Sequence, residues 1–361
     1  LAIDENTDPD LARLRAEIDA LDAQILTLLN RRAGIALEVG AAKEHTGAPV
    51  FRPEREAQVL RGLCEKNTGP LPSGAVQNIY REIISACRAL EKTLVVAYLG
   101  PAGTFSEQAV LRQFGQAVEP QPCESIDDIF RAVETGQADF GVVPVENSTE
   151  GAINRTLDLF LQTPLKITGE VALRIEHHLL TLSGTVEGVT KIYAHAQALA
   201  QCNQWLNRHH PRIDRVACAS NGEAARLASG DPGVAAVAGA LAAQRYGLKK
   251  AAEHIQDDPQ NTTRFAVIGQ GDAQPSGRDH TSLILSVPNR AGAVHDMLSP
   301  LKEHGVSMTR FESRPARTGI WLYYFYIDIE GHRADARTAA ALDALRDSAG
   351  FFKLLGSYPV N

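Results

Sequence analysis

Two cations on one helix face, and a run of hydroxyl and amide side chains ahead of an apolar strand, are the groups here whose types and spacing suit chemistry. Arg32 and Lys43 stand eleven residues apart in LTLLNRRAGIALEVGAAK (26–43). Eleven helical steps return to within ~20° of the same face, ~16 Å along the axis. Long side chains leaning across that gap can meet on one small anion. Arg15 lies seventeen residues before Arg32, ~25 Å away on a straight helix. It reaches the same anion only from a second, antiparallel copy. Arg32 also occupies a place that the apolar series Leu11, Leu14, Ile18, Leu21, Ile25, Leu28, Ile35, Val39 reserves for leucine. A charge on such a seam must be paired. It is either an anion clamp or an ion pair, with Glu56 or Glu91 for instance, that fixes helix register.

NTTRF (261–265) gathers Asn261, Thr262, Thr263 and Arg264 just before the apolar run FAVIG. Together they make a polar patch just before a buried strand. Read alone, the stretch is a capped turn. GPAGTFSEQAV (100–110) is a glycine-rich turn opening a helix, where backbone N–H groups favour an anion. Without the lysine of a phosphate-binding loop it suits a carboxylate better than a nucleotide.

Positioning these groups falls to three kinds of segment. Asp8-Pro9 opens a helix that runs to about His45, stopped by Gly47 and Pro49. Its length of ~55 Å is too great for a small compact monomer and calls for a partner helix. Pro53 starts a second helix, to about Asn67, and Ser73 caps a third with Val76, Ile79, Ile83, Cys87 and Leu90 on one face. LVVAYL, ADFGVVPVEN, KIYAH, RVACAS and FAVIG are strands alternating with helices, which predicts an α/β unit with polar residues at the strand ends. After residue 278 the pattern becomes strand, helix, two strands, helix, strand, the ferredoxin-like order βαββαβ. The chain is therefore expected to be multidomain. The units are an all-α one at 1–92, a two-lobed α/β one at 93–271 (lobes about 94–170 plus 256–271, and 171–255) and an α+β one at 278–361.

Composition narrows the function classes. A net charge of −7 disfavours nucleic acid and anionic membrane as main partners. No apolar run reaches the ~18 residues of a membrane span, and the acidic opening AIDENTDPD lacks the order of a signal peptide. The expectation is a cytoplasmic enzyme. Its five cysteines form no C-x-x-C and read as reduced thiols. No metal or cofactor motif is present, and none is expected.

LRAEIDALDAQILTLLNRRAGIALEVGAAK followed by RPEREAQVL closely resembles the all-helical chorismate mutase family, an intertwined dimer. The resemblance implies a pericyclic rearrangement of a small dicarboxylate. Cations hold its carboxylates and donors stabilise charge on the ether oxygen. By position Arg15 from a second chain, Arg32 and Lys43 are those cations, and Glu56 holds the ring hydroxyl. Arg52 stands where aspartate is frequent and can serve through its backbone. Cys87 and Glu91 replace a common serine and glutamine. Glu91 donates only when protonated, so mutase activity is expected to fall as pH rises.

GPAGTFS, VPVENSTEGAIN, YAHAQALAQC and NTTRF, in that order, closely resemble prephenate dehydratase, a two-lobed family with its site in the cleft. The implied reaction expels carbon dioxide and a ring hydroxyl and needs no cofactor. Thr263 is then the essential donor. Asn261, Phe265, Thr104 and Ser106 join the site, Arg264 and the N–H groups around Gly103–Ser106 hold carboxylates, and Glu146 and Asn147 orient the substrate. Ala194 replaces a frequent serine, and His195 reads as structural. NRAGAV (289–294) and FESRP (311–315) resemble ACT domains of phenylalanine-sensing dehydratases. That implies a phenylalanine site of Asn289, Ala291, Gly292, Ala293, Val294, Glu312, Ser313 and Arg314. A purely dimerising module is the alternative. Together the resemblances imply one homodimeric or larger enzyme acting on chorismate and prephenate. A dehydratase whose helical unit is inactive and only pairs chains is the alternative. A two-lobed solute-binding protein without chemistry is disfavoured by the intact NTTRF.

Overall fold

The computed structural model describes residues 9–46, 49–287, 290–315 and 323–360. Among them no helix is long and apolar enough to cross a membrane. Three helices open the chain: α1 (Pro9–Thr46), α2 (Pro53–Lys66) and α3 (Ser73–Ala89). The proline at the start of α2 supplies a preset φ where its missing N–H is not needed. The expected seam is present on α1 but has no cover among the described residues. Ile18, Leu21, Ile25 and Leu28 are each more than half exposed. Near its C-terminal end α1 meets α3 so closely that a Cβ on Gly40 would lie 2.7 Å from the Glu91 side chain.

A first sheet follows, built from β1 (Val95–Leu99), β2 (Glu119–Cys123), β3 (Phe140–Asn147), β4 (Gly151–Ala152), β5 (Lys166–Arg174) and, much later, β11 (Thr262–Gly269). Helices α4 (Phe105–Phe114), α5 (Ile126–Glu134) and α6 (Asn154–Gln162) connect its strands. The order is β2-β1-β3-β11-β5, with β4 paired to β3. Between β5 and β11 the chain builds a second sheet from β6 (His178–Thr181), β7 (Lys191–His195), β8 (Asp214–Cys218), β9 (Val234–Ala238) and β10 (Lys249–Ala252), in the order β10-β6-β9-β7-β8. Helices α7 (Ala196–Gln201), α8 (Asn203–His209), α9 (Asn221–Gly230) and α10 (Ala240–Tyr246) cover it. The all-apolar run VAAVA of β9 is buried on both faces, as a central strand between helical layers must be.

The C-terminal unit has the expected βαββαβ order: β12 (Asp279–Ser286), α11 (Ala293–Glu303), β13 (Met308–Pro315), β14 (Tyr323–Glu330), α12 (Ala336–Ser348) and β15 (Phe351–Pro359), paired β13-β14-β12-β15. It is not an appended bead. Ile284, Tyr326, Leu355 and Tyr358 belong to the same apolar cluster as Val143, Ile167, Ala266 and Ile268 of the first sheet. At Gly356 (φ +152°) a Cβ would stand 2.2 Å from the Ile167 carbonyl oxygen, so the backbone of β15 touches that of β5.

Candidate active sites and their relatives

Between the two sheets lies a cavity of about 1090 Å³. Its floor is set by strand register. β11 pairs antiparallel with β3, placing Thr263 opposite Asn147 and Arg264 opposite Glu146, with a register shift just beyond. NTTRF is therefore not a turn ahead of the strand; β11 begins at Thr262. Side chains alternate between faces of a strand. Thr263, Phe265 and Asn147 line the cavity, and Arg264 and Glu146 face away from it.

The cavity face is a neutral hydrogen-bonded cluster. Asn147 Nδ2 donates to Thr263 Oγ1 at 2.8 Å and to Asn261 Oδ1 at 2.9 Å. Asn147 Oδ1 accepts from the backbone N–H groups of Thr149 and Glu150, at 3.0 and 3.2 Å. Two backbone donors on the oxygen fix which way the amide points. With an N–H already directed at its oxygen, the Thr263 hydroxyl has its own proton to give elsewhere. Among the described residues lining the cavity there is no lysine or arginine. The ends that could meet a carboxylate are the starts of α4 and α9, whose caps Thr104 and Ser220 both line the cavity. Ser106 lines it as well. The Gly103 N–H, expected to face a substrate, is instead taken by Glu107 Oε2 at 2.6 Å. Glu107 is buried and also pairs with Arg245 of α10, joining the lobes.

Arg264 and Glu146 require correction as substrate ligands. Arg264 meets Glu170 at 2.7 Å, Asp328 of β14 at 2.9 Å and Glu146 at 3.5 Å. Glu146 also accepts from Arg310 of β13 at 2.9 Å. Burial works against the Arg264 charge, and the Glu170 and Asp328 carboxylates overcome it, holding the guanidinium above its ordinary range. The reason for the misassignment is the strand period: neighbours in TTRF cannot share a face.

The helical unit pairs Lys43 with Glu91 and sets Arg32 close enough to Glu56 to act on its charge. Lys43 Nζ meets Glu91 at 3.2 Å and the Val50 carbonyl at 3.3 Å. Glu91 is thus the ion-pair partner of a lysine. Glu56 pairs with Arg88, and burial pushes its carboxyl up while Arg88, Arg81 and Arg32 pull it down. Cys87 is buried on the same helix as Arg88. The Arg52 carbonyl caps α2 by accepting from Arg55 and Glu56, both at 3.1 Å, and its guanidinium bonds Glu54. Arg15 is exposed on α1, as is Arg31.

In the C-terminal unit Gly292 (φ +80°) caps α11 in the left-handed conformation, with Ala291, Ala293 and Val294 around it. Glu312 and Ser313 lie on the edge strand β13. Arg314 does not stay with them: it pairs with Asp158 of α6 at 2.9 Å and with Asn154. Asn289 lies outside the described residues.

Three family models match in succession: chorismate mutase type II over residues 14–92, prephenate dehydratase over 96–273 and the ACT domain over 281–347. A bifunctional chorismate mutase/prephenate dehydratase of Neisseria gonorrhoeae is 54% identical, covering 96% of this chain and 96% of its own. The chain belongs to the bifunctional chorismate mutase/prephenate dehydratases. Its counterpart from Escherichia coli K12 is 34% identical over 97% of this chain and 96% of that one. A prephenate dehydratase of Arthrobacter aurescens, solved in complex with L-Phe, superposes with TM-score 0.68 at 32% identity, covering 74% of this chain and 90% of that one. A protein described as a quorum quenching acylase, GqqA, superposes equally well, at 32% identity over 74% of this chain and 98% of its own. The fold alone therefore does not choose the chemistry; the site must.

In this bifunctional enzyme the sequence reading passed over several polar groups of the dehydratase cleft. His177 and Gln201 both line it and bond each other at 3.1 Å, leaving His177 Nδ1 and Gln201 Nε2 buried without a partner among the described residues. Burial lowers the His177 pKa. The His177-His178 pair ahead of LLT carries no spacing signal that would have revealed it. His195, read as structural, caps α7 and also lines the cavity. Ala194 packs in the apolar core of the second lobe.

Proposed function

We propose that this chain rearranges chorismate to prephenate in its helical unit and converts prephenate to phenylpyruvate, carbon dioxide and water in its cleft. The observation that carries the second step is the Asn147–Thr263 pair. As the carboxylate-bearing carbon–carbon bond breaks, its electrons enter the ring and expel the ring hydroxyl. Hydroxide leaves poorly, so it takes the Thr263 proton and departs as water, and one proton taken up from solvent restores the threonine. Asn147 fixes the threonine oxygen from behind. The substrate carboxylates meet the N-terminal ends of α4 and α9. Aromatisation supplies the drive, and no electron-sink cofactor is required.

In the first step Arg32 and Lys43 hold the substrate's carboxylates, and Glu56 takes the ring hydroxyl. A carboxylate arriving on Lys43 competes with Glu91 for the ammonium. Arg15 completes the clamp from a second copy. The uncovered seam of α1 supports that pairing, because a row of isoleucines and leucines beside Arg15 is the surface an antiparallel α1 would bury. Phenylalanine binds at the turn into α11 and along β13 and inhibits dehydration. Five unpaired cysteines fit a reducing cytoplasm.

Incubation with chorismate tests the whole reading. Chorismate should disappear and phenylpyruvate should form. Loss of chorismate without phenylpyruvate removes the cleft chemistry. Phenylpyruvate from added prephenate alone leaves the helical unit a pairing module, and phenylalanine that neither binds nor inhibits removes the effector site.

A further inference from the structure

We propose that Arg88 is a positioning residue for the mutase reaction, holding the Glu56 carboxylate from behind and tethering it to the main chain of the dehydratase unit. Arg88 lies on α3 with 6% of its side chain exposed. One guanidinium nitrogen donates to Glu56 Oε1 and another to the Phe114 carbonyl at 2.6 Å. The guanidinium carbon lies 5.1 Å from the centre of the Phe51 ring and 6.0 Å from that of Phe114, close enough for cation–π attraction. Phe114 ends α4, so the mutase carboxylate is clamped to the neighbouring unit by a single side chain.

The inference rests on Glu56 taking the substrate's ring hydroxyl. To accept that hydrogen bond Glu56 must be ionised, and burial opposes ionisation. The charges acting on it are Arg88 first, then Arg81 of the same helix and Arg32 of α1, which the substrate's carboxylate also engages. Arg88 is therefore the counter-ion that remains committed to Glu56 when substrate is bound. Its planar fork bonds the carboxylate and the carbonyl together, which a lysine ammonium at the same place cannot do with the same geometry.

The test uses the full-length chain, with chorismate turnover followed from about pH 5 to pH 9 and prephenate turnover as the check on folding. Glu56→Gln identifies the acid limb of the mutase profile by removing it. Arg88→Leu should move that limb to higher pH by about one unit and lower kcat near neutrality by about tenfold, with prephenate turnover intact. Arg88→Lys should restore the limb while kcat stays reduced. An Arg88→Leu profile superimposable on the parent's overturns the proposal. If that variant also loses prephenate turnover, Arg88→Lys decides: reduced kcat at an unmoved limb supports the role, and parental kcat and KM refute it. Parental mutase activity in Glu56→Gln would instead remove the reading of Glu56 on which the proposal stands.

Discussion

The helical pocket and the cleft solve opposite problems. The pocket gathers charged side chains on helices, set by register along the axis, and Arg15 stands ~25 Å from Arg32 along α1. The cleft floor is a cluster of neutral amides and a hydroxyl, set by the pairing of β3 with β11 within one chain. A pericyclic step asks only that a flexible dianion be held in a reactive shape. Expulsion of hydroxide asks for a proton at one place. Charge clamps suit the first and an aimed hydroxyl the second.

Substitutions can break this contrast. The largest effect is expected for Thr263→Ala, which should cut prephenate turnover by on the order of a thousandfold and spare chorismate turnover. Near-normal dehydration would take the threonine out of its role. Arg32→Leu should lower mutase kcat by about a hundredfold or more, leave dehydration intact and hold or raise the melting temperature, because it completes the seam. Efficient chorismate turnover in that variant would return Arg32 to a purely structural part. Arg264→Gln separates the two faces of β11. On the back face it should destabilise the fold by about 2–3 kcal/mol, below the full figure for a buried ion pair because the side chain is partly exposed. The KM for prephenate should not change; a large rise in KM would put the guanidinium back in the cleft. The smallest change is expected for Glu91→Gln, which exchanges the Lys43 ion pair for an amide contact and should shift the KM for chorismate by only a few-fold. Loss of chorismate turnover in that variant would give Glu91 a larger part than its pairing with Lys43.

Legibility differed between the units for physical reasons. On α1 the helical period alone put Arg32 and Lys43 on one face and excluded Arg15, and the same period showed the seam that the chain leaves bare. The βαββαβ order followed from alternation and turn residues. The cleft was less open to such reading. NTTRF read alone as a polar capped turn and took its chemistry from the resemblance, but which of its members face the cleft depends on where the strand starts, and a start at Thr262 sends Arg264 to the opposite side. Arg314 and Glu146 were misassigned for a related reason: their partners, Asp158 and Arg310, lie more than 150 residues away, and no local pattern announces them. Glu56 was placed in the pocket, but its counter-ion Arg88 passed unnoticed as one more polar residue of an amphipathic helix.

The family models divide the chain into three stretches that look interchangeable, yet Gly356 argues that the last join is not a plain seam for cutting and splicing. Where β15 lies against β5 there is no space for even a methyl group. A sensor module borrowed from another enzyme would have to bring its own glycine at this spot, or stand away from the catalytic sheet and lose its grip on it. One chain carries all three parts; a single missing carbon atom lets two of them pack as one body.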